Sequence, residues 1–159
     1  MLSLEMNTMK AFLVVVMVVM ILIACDKDKF QTKPQIEIKS FNTDVVPRNG
    51  SLVVNLTVTD KEGDVDDSVV VIRERLNERA LPPTSRILKY KIPEFPDRSK
   101  IDMEVLLDGA TALTLQSSPI AIPGQQGVFE PDTLNLRFFV IDKQKNVSDT
   151  VDRGVIVIR

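Results

Sequence analysis

Histidine and tryptophan are absent from the 159 residues, and cysteine and tyrosine each occur once. Without histidine the chain lacks the commonest general base and the commonest transition-metal ligand. A single cysteine, Cys25, cannot close a disulfide within the chain or build a zinc–thiolate site, so the fold must stand on its apolar core. One tyrosine and no tryptophan leave little from which to build an aromatic platform for sugars. Charge of one sign is also missing: 20 basic residues face 22 acidic ones, for a net charge of −2. That balance argues against a nucleic-acid partner, and no like-charge tail is visible. The sequence shows no G-x-S-x-G and no S-x-x-K, so the usual nucleophile signatures are missing as well.

What is present begins with a greasy leader. Lys10 is followed by an apolar run from Ala11 to Ala24, about fourteen residues. A bilayer core of ~30 Å needs about twenty helical residues, so the run is short for a permanent span. A positive start, an apolar middle and a small residue before a cut make a secretory signal. The run ends Leu22-Ile23-Ala24-Cys25, which resembles the lipobox of bacterial lipoproteins. The resemblance implies lipid attachment (palmitate among the acyl groups) at Cys25, cleavage before it, and residence in the cell envelope, with the outer membrane the expected site. A plain signal peptide and an uncleaved anchor are the competing readings. Met6 and Met9 are alternative starts, Met9 giving the shorter positive leader.

The expected division is signal peptide 1–24, polar tether 25–34 and one domain over 35–159. About 135 residues after the cut suit a single core. The tether DKDKFQTKP spans at most ~30 Å when extended. Its Lys27-Asp28 is similar to the charged surface-export signals of lipoproteins from Bacteroidota, against the plainer reading of a solvated linker.

Beyond the tether, apolar residues alternate in short runs rich in β-branched side chains, the pattern of strands. Strands are expected at 35–41, 51–60, 69–76, 87–92, 101–107, 111–115, 134–142 and 155–158. In the second, Leu52, Val54, Leu56 and Val58 share a face. In the seventh, Leu134, Leu136, Phe138 and Val140 do. The third is less clean. Val70, Ile72 and Leu76 are expected inward there, with Arg73 and Arg75 outward in a mixed-charge stripe with Glu74, Glu78 and Arg79. Its IRERLNER stretch contains good helix formers, but the three valines before it favour a strand. Asn49-Gly50, Gly63 and Gly109 supply turns. Pro82-Pro83 and Pro93 to Pro96 flank the fourth strand and disfavour interior pairing. The loop from Ser117 to Asp132 is expected to lie over the core through Ile120, Ile122 and Phe129. It could also cover Phe139 and Ile141, which otherwise mark a contact patch.

Seven to eight such strands predict an all-β, antiparallel sandwich, preceded by the signal helix. The ending FFVIDKQKNVSDTVDRGVIVI, with Val140, Asp142, Asn146 and Ser148, resembles the last hairpin of bacterial immunoglobulin-like and fibronectin-like domains. That resemblance implies an immunoglobulin-like sandwich. The chain departs from true immunoglobulin domains: it has no tryptophan or cysteine pair, and Tyr90 is misplaced for a tyrosine corner.

The densest chemistry is DKEGDVDD, where Asp60, Glu62, Asp64, Asp66 and Asp67 put five carboxylates in eight residues. Calcium takes six to eight oxygen ligands, and acidic loops supply them. Asp60, Glu62, Asp64 and Asp66, with Asp142 from the last hairpin, are therefore the candidate calcium ligands. The loop is not an EF-hand: Gly63 is fourth rather than sixth, and Val71 stands where the last glutamate belongs. The bland alternative is a solvated turn. In a sandwich this loop and the last hairpin share a pole, bringing Asn146 and Asp149 near too. The tether is expected to leave from the same pole, facing the acidic loops toward the membrane.

The functional expectation is a non-catalytic, lipid-anchored envelope protein, structural or binding a protein or glycan partner, with calcium as a possible stabiliser. A calcium-assisted carbohydrate-binding module is the alternative, and a small hydrolase built on a carboxylate pair is the second.

Overall fold

The computed structural model describes residues 33–79, 84–116 and 118–159. The leader, its expected signal helix and Cys25 lie outside the described residues. The eight strands are β1 (Gln35–Phe41), β2 (Val45–Val46), β3 (Ser51–Thr59), β4 (Ser68–Arg75), β5 (Ser85–Lys91), β6 (Lys100–Asp108), β7 (Asp132–Ile141) and β8 (Val151–Val157). They form a three-stranded sheet, β1-β3-β6, and a five-stranded sheet, β2-β8-β7-β4-β5. All pairings are antiparallel except β2 with β8. The order β1-β3-β6 against β8-β7-β4 is the A-B-E and G-F-C arrangement of immunoglobulin-like sandwiches.

Period-two alternation builds the core. Leu52, Val54, Leu56 and Val58 of β3 face Leu134, Leu136, Phe138 and Val140 of β7, and all eight are fully buried. Burying each such side chain is worth ~1.5–3 kcal/mol before the entropy of ordering it is counted. Leu88 and Tyr90 of β5, and Ile92 just after it, pack against the core. Among the described residues that strand pairs only with β4, at the edge of the large sheet, where its flanking prolines are tolerated.

β1 slips register between Ile38 and Ser40, a β-bulge. The chain then leaves the small sheet and lays β2 along β8 in the large one. Two residues are too short for a periodicity signal, so the sequence did not reveal β2.

Three expectations are corrected. Arg73 and Arg75 point inward, and Val70, Ile72 and Leu76 lie on the outer face. The register decides it: Arg73 stands opposite Leu136 and Arg75 opposite Leu134, both core residues. The run VVVI carries apolar side chains on both faces, so its own pattern could not fix the parity.

Thr111–Leu115 is not a strand but a turn. Asp108 builds it by accepting Ala110 N–H (3.1 Å), Thr111 N–H (2.8 Å) and the Thr111 hydroxyl (2.9 Å). Its Leu113 and Leu115 are nonetheless buried core residues, which is why the segment read as alternating. The last strand starts at Val151, four residues before its apolar run, because Asp152, Arg153 and Gly154 are paired with β7 across an exposed face.

The long connection before β7 folds partly on itself, bridging Ala121 to Phe129, with Ile120, Ile122 and Phe129 half-buried. Phe139 and Ile141 are half-buried on the outer face of the large sheet, Phe139 opposite Val70.

Candidate functional site at the acidic pole

β3 ends and β4, β6 and β8 begin at one pole, where β7 also ends. The β3–β4 loop and the β7–β8 turn are therefore neighbours although they lie about eighty residues apart in sequence. A backbone hydrogen bond from Lys143 N–H to the Asp64 carbonyl (3.0 Å) joins them.

Each loop is held by hydrogen bonds of its own. In the first, the Asp60 carboxylate accepts Gly63 N–H at 2.8 Å and Asp64 N–H at 3.4 Å through Oδ2. Gly63 has φ +79°, and a Cβ there would come within 2.8 Å of Arg98 N, so only glycine suits this position. Its carbonyl in turn accepts Arg98 N–H. In the second loop, both oxygens of Asp142 are used by Asn146: Oδ1 takes the backbone N–H and Oδ2 the side-chain amide, each at 2.8 Å. The Ser148 hydroxyl accepts Val140 N–H at 3.0 Å. The aspartate, asparagine and serine that marked this hairpin are thus its turn hardware.

One carboxylate oxygen each from Asp60, Asp64 and Asp142 lies within 4.8 Å of the others. Asp60 is 5% exposed and Asp142 1%; Asp64 is half-buried. Asp60 Oδ1 and Asp64 Oδ1 are buried with no hydrogen-bond partner. Burial pushes the Asp64 carboxyl above its ordinary pKa; Gln144 opposes this, and the Asp142 and Asp60 carboxylates push it higher still.

The other acids of the loop are placed differently. Asp66 is buried, which would raise its pKa, but the Lys143 ammonium at 3.0 Å together with the backbone N–H groups of Asp66 and Phe95 outweighs this and holds the carboxyl below the ordinary range. Asp67 pairs with Lys145 at 3.1 Å and is likewise lowered. Glu62 is half-buried outside the trio, with Oε2 lacking a hydrogen-bond partner. Asp149 is exposed and pairs with Lys33. Of the five expected ligands, the fold therefore gathers Asp60, Asp64 and Asp142 and separates Glu62 and Asp66 from them. The lysines that neutralise Asp66 and Asp67 went unrecognised in the sequence, although the alternation Asp142-Lys143-Gln144-Lys145 opposite an acidic loop was the available signal.

The opposite pole holds a buried ionic cluster that sequence reasoning missed. Arg75 and Arg159 flank Asp132 at 2.7 and 3.3 Å. Arg75 also donates from Nε to Asn77 Oδ1 (3.1 Å) and to Gln116 Oε1, and Arg159 donates to Thr114 Oγ1 (2.7 Å) and the Gln116 carbonyl (2.5 Å). Arg73 donates to the Ala112 carbonyl. These bonds clamp the turn after β6 onto the large sheet.

No family model matches the chain, and no curated protein matches it. Solved structures similar in shape include a β-glucosidase from Listeria innocua (14% identity, TM-score 0.41), covering 80% of this chain and 16% of that one. A β-glucosidase from Kluyveromyces marxianus (15% identity, TM-score 0.45) covers 80% and 14%. The sporulation control protein Spo0M from Bacillus subtilis (8% identity, TM-score 0.42) covers 80% and 50%. The chain thus spans less than a fifth of either glucosidase and half of the sporulation protein.

Proposed function

We propose that the protein is a non-catalytic module of the cell envelope, anchored by lipid on Cys25, in which a small immunoglobulin-like domain serves as a structural or binding unit. The observation that carries this reading is the Leu22-Ile23-Ala24-Cys25 sequence closing a short apolar run, with the chain's one cysteine at the position a lipid would require. The domain supports it. Its first described residue, Lys33, pairs with Asp149 at the acidic pole, eight residues beyond Cys25. A lipid on Cys25 would leave Lys33 within ~30 Å of the membrane surface, since eight extended residues reach no further.

The test is metabolic labelling with radioactive palmitate. Label should enter the wild-type chain and be absent from Cys25→Ser, which should appear in the soluble fraction or keep its leader. Equal partitioning of the two proteins into detergent, with no label in either, refutes the anchor.

A further inference from the structure

We propose that Asp60, Asp64 and Asp142 form a calcium site that braces the β3–β4 loop against the β7–β8 turn. Three carboxylates converge to within 4.8 Å from two loops remote in sequence. That span is what two Ca–O bonds of ~2.4 Å can bridge. Convergence of acids alone would mean little. The deciding observation is Asp60: its Oδ2 is spent on loop amides, while Oδ1 is buried and has no partner, on a residue 95% removed from solvent. An ionised oxygen in that position is costly unless a cation or donor meets it.

The two lysines of the β7–β8 turn are spent on the other acids of the loop. Lys143 is committed to Asp66 and Lys145 to Asp67. The donor set is oxygen only, which selects a hard cation over zinc or copper. Calcium suits it better than magnesium, because Asp142 is already tied to Asn146 and the loops cannot close to the short, regular octahedron magnesium demands. Water completes the coordination.

Binding restricted to the folded state raises its stability with cation concentration. The site thus couples the stability of the pole nearest Lys33 to calcium concentration. This inference rests on the folded domain and not on lipidation: Cys25→Ser should bind calcium as the wild type does, so the two proposals fail separately.

The experiment uses the full chain in detergent, stripped with chelator and titrated with calcium chloride by calorimetry and thermal melting. One saturating binding event and a rise in Tm are expected, with magnesium at least tenfold weaker. Asp64→Asn, at a half-exposed position that tolerates the amide, should weaken calcium binding at least tenfold. Asp66→Asn should bind calcium normally while melting earlier. No binding heat and no Tm change in the wild type would overturn the site, as would undiminished binding by Asp64→Asn. Equal affinity for magnesium would overturn the assignment to calcium.

Discussion

Arg75 and Asp132 form an ion pair of 2.7 Å in which each side chain is only 1% exposed, at the end of the sandwich opposite the acidic loops. Asp132 is the first residue of β7, and Arg159 holds its second oxygen, so one carboxylate neutralises part of two guanidiniums. Removing one member of such a cluster strands a buried charge, which costs ~3–5 kcal/mol. Asp132→Asn should therefore lower unfolding stability by about that amount in urea titrations. An effect under about 1 kcal/mol would show that the pair is open to water.

The inward parity of β4 gives a paired prediction. Val71 is fully buried and Ile72 half-buried on the other face. Val71→Ala should cost about 2 kcal/mol, and Ile72→Ala under about 1 kcal/mol despite removing more carbon. Denaturant midpoints of the two variants measure the order directly, and its reversal would restore the outward-arginine arrangement.

That pair also shows how far the sequence could be read. Where one face was apolar and the other polar, as in β3 and β7, periodicity gave strand, face and core together. β4 failed because its valines and isoleucine occupy both parities, and only pairing with Leu134 and Leu136 ranks them. The 111–115 turn failed because buried leucines two apart look the same in a turn as in a strand. The acidic pole was legible in outline, since hairpin order in a sandwich puts the two loops side by side. Which acids face one another, and which face Lys143 and Lys145, depends on loop torsions such as that of Gly63, which composition does not encode.

Gly63 supplies a backbone prediction. Alanine there would meet Arg98 backbone atoms and occupy a left-handed conformation. Gly63→Ala should lose ~1–3 kcal/mol of stability. Melting of the purified variant checks this, and an unchanged Tm would mean the loop relaxes without cost.

At the acidic pole the pH response has two opposing parts. Asp66 and Asp67 are held below the ordinary range in the fold, so their contribution is present above the unfolded pKa of ~4 and is lost as pH falls through their folded values. Asp64 is raised, so its ionisation disfavours the fold, and protonation relieves that penalty. In chelator at neutral pH, Asp64→Asn should therefore melt above the wild type; in calcium the order should invert. The Asp66→Asn variant should lose less stability than the wild type on acidification below pH ~4. Thermal melts across pH, with and without calcium, test both statements.

The bulge at Ile38–Ser40 lets one continuous stretch bond β3 through β1 and then β8 through β2. Mechanical load applied at the N-terminal end along the strand axis would consequently be borne by two sheets in shear. Such a junction resists being unzipped one bond at a time.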